Sequence, residues 1–198
     1  MPPIPPITKI LILACVGMFC AQLLMPPWFE GFLALWPPGT GRFGPWQLLS
    51  YGVLHGDTVH LFFNMLGLWM FGGEIERLWG GKRYLQMVVA SVLSAGLVQV
   101  AWSLLTGHVQ PTVGASGALF GLLLAFGMMF PNRIIMPLFP PIPMKAKVFV
   151  AVFGGLELLF GLSGASGVAH FAHLGGMLGS FLIIQYWRGR APFNRTRR

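Results

Sequence analysis

Six apolar segments, separated by short charged or Pro-rich stretches, take up most of this sequence. A helix needs about 20 predominantly apolar residues to cross a lipid bilayer. Hydrophobic residues make up 55% of the 198 residues and charged residues 9%, which is typical of a membrane protein. We therefore predict a single all-α membrane domain over residues 1–198, a bundle of six transmembrane helices. The predicted spans lie at about 7–25, 58–73, 84–105, 112–130, 146–162 and 167–187.

The basic residues predict how the bundle is oriented. Of the thirteen Lys and Arg residues, all except Arg42 lie on one side of the six predicted spans. Cytoplasmic loops are enriched in Lys and Arg, so both termini are expected in the cytoplasm. The net charge of +8 then has an explanation in helix ends beside lipid, and no nucleic-acid partner is expected.

The first loop, residues 26–57, combines Pro, Gly and aromatic residues with an apolar middle. Trp28, Trp36 and Trp46 lie in it, and tryptophan is enriched where a membrane meets water. We predict that this segment lies in the outer membrane interface rather than forming a free loop.

Polar side chains recur near one end of three predicted spans. His60 and Asn64 are four residues apart in the second, Ser116 lies in the Gly-Ala-Ser-Gly of the fourth, and His170 and His173 begin the sixth. These three spans run in the same direction, so the polar residues are predicted at a similar depth, roughly 5–12 Å from the outer end. An ionisable residue inside a membrane is costly and is a functional candidate by default.

These residue types support nucleophilic catalysis. A serine hydroxyl becomes a good nucleophile when a neutral imidazole accepts its proton, which Ser116 and His173 could provide. The backbone N–H of Ser116, the amide of Asn64 and the ring of His60 could donate to the oxyanion that forms. Taken singly, Ser116 fits small-residue helix packing and His173 fits a buried structural histidine; their shared depth favours the catalytic interpretation.

No acidic residue is predicted to complete a triad. Asp57 lies at the mouth of the second span, and Glu157 is expected deep in the fifth. The sequence therefore predicts a Ser/His dyad, whose imidazole is oriented by packing on Phe120, one turn after Ser116.

A second Gly-Ala-Ser-Gly covers residues 164–167 and places Ser166 four residues before His170. Such a pair on one helix can touch, but one helix end offers no opposing wall for a substrate. We therefore favour Ser116 over Ser166 and interpret His170 as structural or pocket-lining.

Together the motifs closely resemble those of the rhomboid intramembrane proteases, over essentially the whole six-helix core. The matching positions are His55-x4-His60-x3-Asn64, the Gly-x-Ser-Gly of Gly114 to Gly117, Ala172-His173 followed by Gly176, and Glu76-x3-Gly80.

The resemblance implies that Ser116 is the nucleophile, that His173 is the general base and that His60 and Asn64 support the oxyanion. It implies substrate contacts at Gly114, Ala115 and Gly117, and structural roles for His55 and Glu76. Many bacterial relatives carry Tyr where this chain has Phe120. The implied substrates are single-pass transmembrane proteins, cut near the outer membrane face. No cofactor or metal is expected, and a bacterial cytoplasmic membrane is the expected location.

Two other functions stay open at this stage. One is a catalytically inactive relative that binds membrane helices. The other is a metal-binding membrane protein that uses His55, His60, His170 and His173, although their spacing lacks a His-Glu-x-x-His pattern.

Overall fold

The computed structural model describes residues 3–138, 141–164 and 168–189. Its helices are α1 (Pro6–Leu24), α2 (Pro27–Leu33), α3 (Gln47–Ser50), α4 (Thr58–Gly67), α5 (Gly73–Thr106), α6 (Ser116–Met129), α7 (Ala146–Ser163) and α8 (His170–Trp187). Two antiparallel strands of two residues each, β1 (Ile134–Ile135) and β2 (Met144–Lys145), lie between α6 and α7. The predicted all-α architecture is confirmed apart from this short ribbon.

Glycine and proline set several helix boundaries. Pro6 opens α1, where its missing N–H is no loss, and the chain leaves the helix just before Pro26 and Pro27. A π-helical turn at Leu68–Gly72 joins α4 to α5. The second and third predicted spans therefore form one helical stretch that breaks at Gly80, whose φ of 76° and ψ of 158° are not helical.

Two predicted spans begin later than expected. Helix α6 begins at Ser116 rather than 112, because Gly114 has a φ of 128° that no helix accommodates. Helix α8 begins at His170 rather than 167. Ser116 is therefore the first residue of its helix and does not lie a few residues inside it.

The first loop contains α2, α3 and two short 3-10 helices, Pro38–Thr40 and Tyr51–Val53. Gln47 is buried at its centre, where its amide donates to the carbonyls of Phe32 and Arg42 and accepts from the N–H of Trp36. These bonds tie distant parts of the loop together. Whether the loop lies in the membrane interface stays a prediction.

Helix α8 packs closely against α5 and α6 through glycine. A β-carbon on Gly175 would lie 2.9 Å from the carbonyl oxygen of Ser94 in α5, and one on Gly176 would strike the carbonyl oxygen of Gly117 in α6. Small residues allow helix backbones in membrane proteins to approach in this way. The close packing fixes the start of α6 beside the start of α8.

At the other end of the bundle, Glu76 of α5 joins α5 to the start of α1. Its carboxylate accepts hydrogen bonds from the N–H of Ile7 (2.9 Å), the N–H of Thr8 (2.7 Å) and the hydroxyl of Thr8 (2.8 Å). A carboxylate at a helix N-terminus satisfies donors that lack partners within the helix, and it complements the helix dipole.

Three helical segments of the described chain are long and apolar enough to cross a membrane: Pro6–Leu24, Thr58–Thr106 and Ala146–Ser163. The segment Thr58–Thr106 contains the break at Gly80, and α6 is a shorter apolar helix of 14 residues. The number of crossings and the side on which the termini lie stay predictions.

Candidate active site

Ser116 and His173 form a hydrogen-bonded pair across two helices. The Oγ atom of Ser116, at the start of α6, lies 2.8 Å from Nε2 of His173 in α8. His173 is buried, and Ser116 is only half-buried. The distance suits proton transfer between the hydroxyl and the imidazole.

Phe120 covers one face of the His173 imidazole. The two rings are nearly parallel, at 9°, and their centroids are 4.3 Å apart. Phe120 lies one helical turn after Ser116, so α6 supplies both the hydroxyl and the aromatic surface that contacts the His173 ring.

Glu157 of α7 holds the opposite edge of the same imidazole. Its Oε2 lies 2.8 Å from Nδ1 of His173 and 2.6 Å from Nδ1 of His170. The expectation that no carboxylate reaches the site is therefore wrong. Glu157 lies six residues before Ser163, the end of α7, which is about 9 Å along the helix axis and within the depth range of the other polar residues.

The sequence contains a signal for Glu157 that the depth estimate missed. Glu157 follows Phe149 and Phe153 and precedes Gly161 at four-residue spacing, so all four lie on one helix face; Phe149 is buried, and Phe153 and Gly161 are partly buried. The carboxylate therefore continues the packed face of α7 rather than pointing away from the bundle.

His60 lies against Gly114, beside Ser116. A β-carbon on Gly114 would lie 2.8 Å from Nε2 of His60 and 3.5 Å from Oγ of Ser116. Asp57 caps α4 by accepting from the backbone N–H of His60 at 2.8 Å. The cap fixes the first turn of α4 and with it the backbone of His60.

Asn64 follows His60 by one turn and is 3% exposed. Within the described part of the chain, its Nδ2 has no hydrogen-bond partner. Buried amide donors are usually paired, which makes the Asn64 Nδ2 a candidate for contact with a substrate.

Two further predicted positions pack at the start of α6. Ala115 is buried directly before Ser116. A β-carbon on Gly117 would lie 2.6 Å from Cβ of Ala95 in α5. Both residues bring the α6 backbone against its neighbours, and Gly117 leaves no space for a larger residue.

His55 is buried beside His60, with the two ring centroids 5.2 Å apart. Its backbone exchanges two hydrogen bonds with the side-chain amide of Gln22 in α1. Burial, with a smaller contribution from His60, lowers the pKa of His55 to about 4, so its ring is neutral at physiological pH. Of the other predicted positions, Glu76 lies away from Ser116, in its contact with α1, and Ser166 lies outside the described residues.

The side chains of Glu157, His170 and His173 could also hold a metal ion, since their ligand atoms all lie within 4.8 Å of one another. Within the described residues this group includes neither His55 nor His60. The alternative site made of four histidines is therefore not assembled there.

A cavity of about 560 Å³ opens beside His170, between the end of α5, the end of α7 and the start of α8. Its polar lining includes Gln99, His108 and Gln110. The cavity provides space for water near the histidines rather than directly over Ser116.

The sequence matches the Rhomboid domain family model over residues 42–190, which is more than half of the chain. The chain belongs to the rhomboid family. All the helices that carry Ser116, His173, His60, Asn64 and Glu157 fall within the matched range.

Several curated rhomboid proteins are similar to this chain. It is 31% identical over 144 residues to "Rhomboid protease GluP" of Bacillus subtilis, a match that covers 69% of this chain and 25% of the relative. It is 30% identical over 167 residues to "Rhomboid protease GlpG" of Photorhabdus laumondii, covering 82% and 54%. It is 28% identical over 196 residues to "Presenilin-associated rhomboid-like protein A, mitochondrial" of Danio rerio, covering 94% and 50%. This rhomboid chain thus spans between a quarter and about half of the length of these relatives.

Proposed function

We propose that this chain is an intramembrane serine endopeptidase. The observation that carries the proposal is the 2.8 Å contact between Ser116 Oγ and His173 Nε2. A hydroxyl and an imidazole supplied by separate helices at one end of an apolar bundle are the parts that nucleophilic hydrolysis requires.

In the proposed reaction, His173 Nε2 takes the Ser116 hydroxyl proton while Oγ attacks the carbonyl carbon of a peptide bond. The carbonyl oxygen then carries a negative charge, which donors aimed at it stabilise. His60 and Asn64 lie on α4, beside Ser116, and are proposed as donors together with the Ser116 N–H; the Asn64 Nδ2 has no hydrogen-bond partner among the described residues.

The protonated His173 next gives its proton to the leaving amine, and the bond between the carbonyl carbon and nitrogen breaks. An ester on Ser116 remains. Water attacks this ester while His173 takes its proton. His173 then returns the proton to Ser116 Oγ as the ester C–O bond breaks, which releases the acid product and the free serine. The cavity beside His170 is a suitable source of that water.

The proposed substrates are single-pass transmembrane proteins, cut near the outer face of the membrane. Apolar side chains are exposed along the helices beside the site, including Phe62 and Phe63 of α4 and Leu159 of α7. Such surfaces are compatible with lipid and with a transmembrane helix. We further propose a bacterial cytoplasmic membrane as the location and no nucleic-acid partner.

Purified protein in detergent, given a fluorophosphonate probe and a single-pass model substrate, tests this function. Wild type is expected to react with the probe and cleave the substrate, with the cut site mapped by mass spectrometry. Ser116→Ala and His173→Ala are expected to lose both activities. Ser166→Ala is the matched control, because it removes the serine of the other Gly-Ala-Ser-Gly, and it should retain them.

Undiminished labelling of Ser116→Ala would refute the assignment of the nucleophile. A folded wild-type protein that neither labels nor cleaves several helix-destabilised substrates would favour an inactive helix-binding relative instead.

A further inference from the structure

The segment of α7 around Glu157 is exposed apart from this residue. From Gly155 to Phe160, every residue except Glu157 is exposed, including Leu156, Leu158 and Leu159. The Glu157 side chain retains only 13% of its exposure. A carboxylate turned inwards from an apolar helix surface has a large cost unless its partners compensate for lost water.

Those partners are two imidazoles on α8. The same oxygen, Oε2, contacts Nδ1 of both His170 and His173. An ionised carboxylate only accepts hydrogen bonds, so with Glu157 ionised each imidazole must donate from a protonated Nδ1. These bonds compensate for burial of the carboxylate, and they also fix the proton position on each ring.

For His173 this proton position has a chemical consequence. A neutral imidazole protonated at Nδ1 has its lone pair at Nε2, the atom that lies 2.8 Å from Ser116 Oγ. The ring is therefore held in the tautomer that can accept the serine proton. After transfer, the positive charge on His173 lies beside a carboxylate.

We propose that Glu157 is a positioning residue that completes a Ser116–His173–Glu157 triad, with His170 as the second donor that holds the carboxylate in place. This inference rests on the proposed protease function. It replaces the dyad expected from the sequence with three hydrogen-bonded groups supplied by α6, α8 and α7.

His170 has a specific place in this arrangement. A carboxylate on a flexible side chain can rotate away from one partner, but two donors that share one oxygen restrict its orientation. The two histidines are three residues apart on α8 and reach Glu157 from one helix face. His170, which the sequence predicted to be structural or pocket-lining, thus holds the Glu157 carboxylate, which in turn orients His173.

The test compares Glu157→Gln with wild type by steady-state cleavage, fluorophosphonate labelling and thermal unfolding in detergent. Glutamine keeps the size of the side chain but loses the charge, and its amide can impose the wrong imidazole tautomer. We expect kcat and the labelling rate to fall by at least about 10²-fold, with KM changed by less than about threefold. The effect is smaller than about 10⁴-fold because stacking on Phe120 still orients the ring.

Two further variants separate positioning from packing. Glu157→Asp keeps the carboxylate one methylene shorter and should recover part of the labelling rate. Glu74→Gln makes the same chemical change at a more exposed glutamate, paired with Arg133, and should label like wild type. The melting temperature of Glu157→Gln is expected to stay within a few degrees of wild type.

Wild-type labelling by Glu157→Gln would overturn the triad, as would parallel loss of labelling and melting temperature in both Glu157 variants, which indicates packing alone. Stoichiometric metal in the purified protein, together with chelator-sensitive labelling, would also overturn it. Ser116→Ala is measured alongside. If it still labels, the proposed function fails; if it is inactive while Glu157→Gln is normal, only the triad fails.

Discussion

Glu76 and Glu157 are two inward-facing carboxylates with different partners. Glu76 accepts from two backbone donors and a hydroxyl at the start of α1, groups that do not titrate near neutral pH. Glu157 instead contacts two imidazoles, one of which contacts a half-buried serine hydroxyl. Burial of a carboxylate alone therefore does not identify a reactive site. A reactive site is distinguished by the chemistry of the carboxylate's partners and by a hydrogen-bond chain that ends at an accessible atom.

Among variants outside the proposed triad, the largest expected effect is at Asn64, whose buried Nδ2 has no hydrogen-bond partner in the described part of the chain. Asn64→Ala should lower kcat by about 10²–10³-fold, or about 2.7–4 kcal/mol, because an oxyanion donor is lost. Its melting temperature should change little, since the lost Nδ2 donor leaves no described partner unsatisfied. Cleavage kinetics and thermal unfolding check this, and a large loss of stability with normal kcat would assign Asn64 to structure.

Glu76→Gln should have the opposite outcome. The substitution replaces one carboxylate oxygen with an NH2 group, which then faces either the N–H of Ile7 or the two donors of Thr8, so the free energy of unfolding should fall by about 3 kcal/mol. The kcat of the folded fraction should stay near wild type, because Glu76 lies away from Ser116. Unfolding in detergent and active-site titration separate these quantities. A fall in kcat per labelled molecule would break the contrast with Glu157.

Thr8→Val removes one of the three donors to Glu76 while keeping the side-chain shape. The free energy of unfolding should fall by about 1.5 kcal/mol, because the lost bond is made to a charged acceptor. Thr8→Ser, which retains the hydroxyl, is the control and should be closer to wild type. A larger loss of stability in Thr8→Ser than in Thr8→Val, measured by thermal unfolding, would point to the methyl group rather than the hydrogen bond.

Phe120→Leu gives the smallest expected effect. Loss of the stacked ring should cost about 1 kcal/mol of orientation, which corresponds to roughly a fivefold fall in the labelling rate. Phe120→Tyr keeps the ring and should label at close to the wild-type rate. If Phe120→Leu exceeds Glu157→Gln in its effect, packing rather than the carboxylate is the main support of His173.

Much of the fold followed from local sequence patterns. The apolar runs located α1, α7 and the start of α4 to within a few residues, because helix ends follow the spacing of apolar and helix-breaking residues. The end of α5 was also close, but α5 begins at Gly73 and not near 84. The later starts of α6 and α8 were missed. Gly114 adopts a φ of 128°, and the presence of a glycine in the sequence does not by itself reveal this conformation.

For the candidate site, the sequence predicted Ser116, His173, His60 and Asn64, because polar groups within apolar spans are few and chemically distinctive. It also identified Phe120 through its one-turn spacing. The contact between Glu157 and His173 is visible only in the tertiary structure. These contacts depend on how α7 packs against α8, which the sequence of neither helix alone specifies. The packing brings the Glu157 carboxylate to two imidazoles that lie 13 and 16 residues away along the chain.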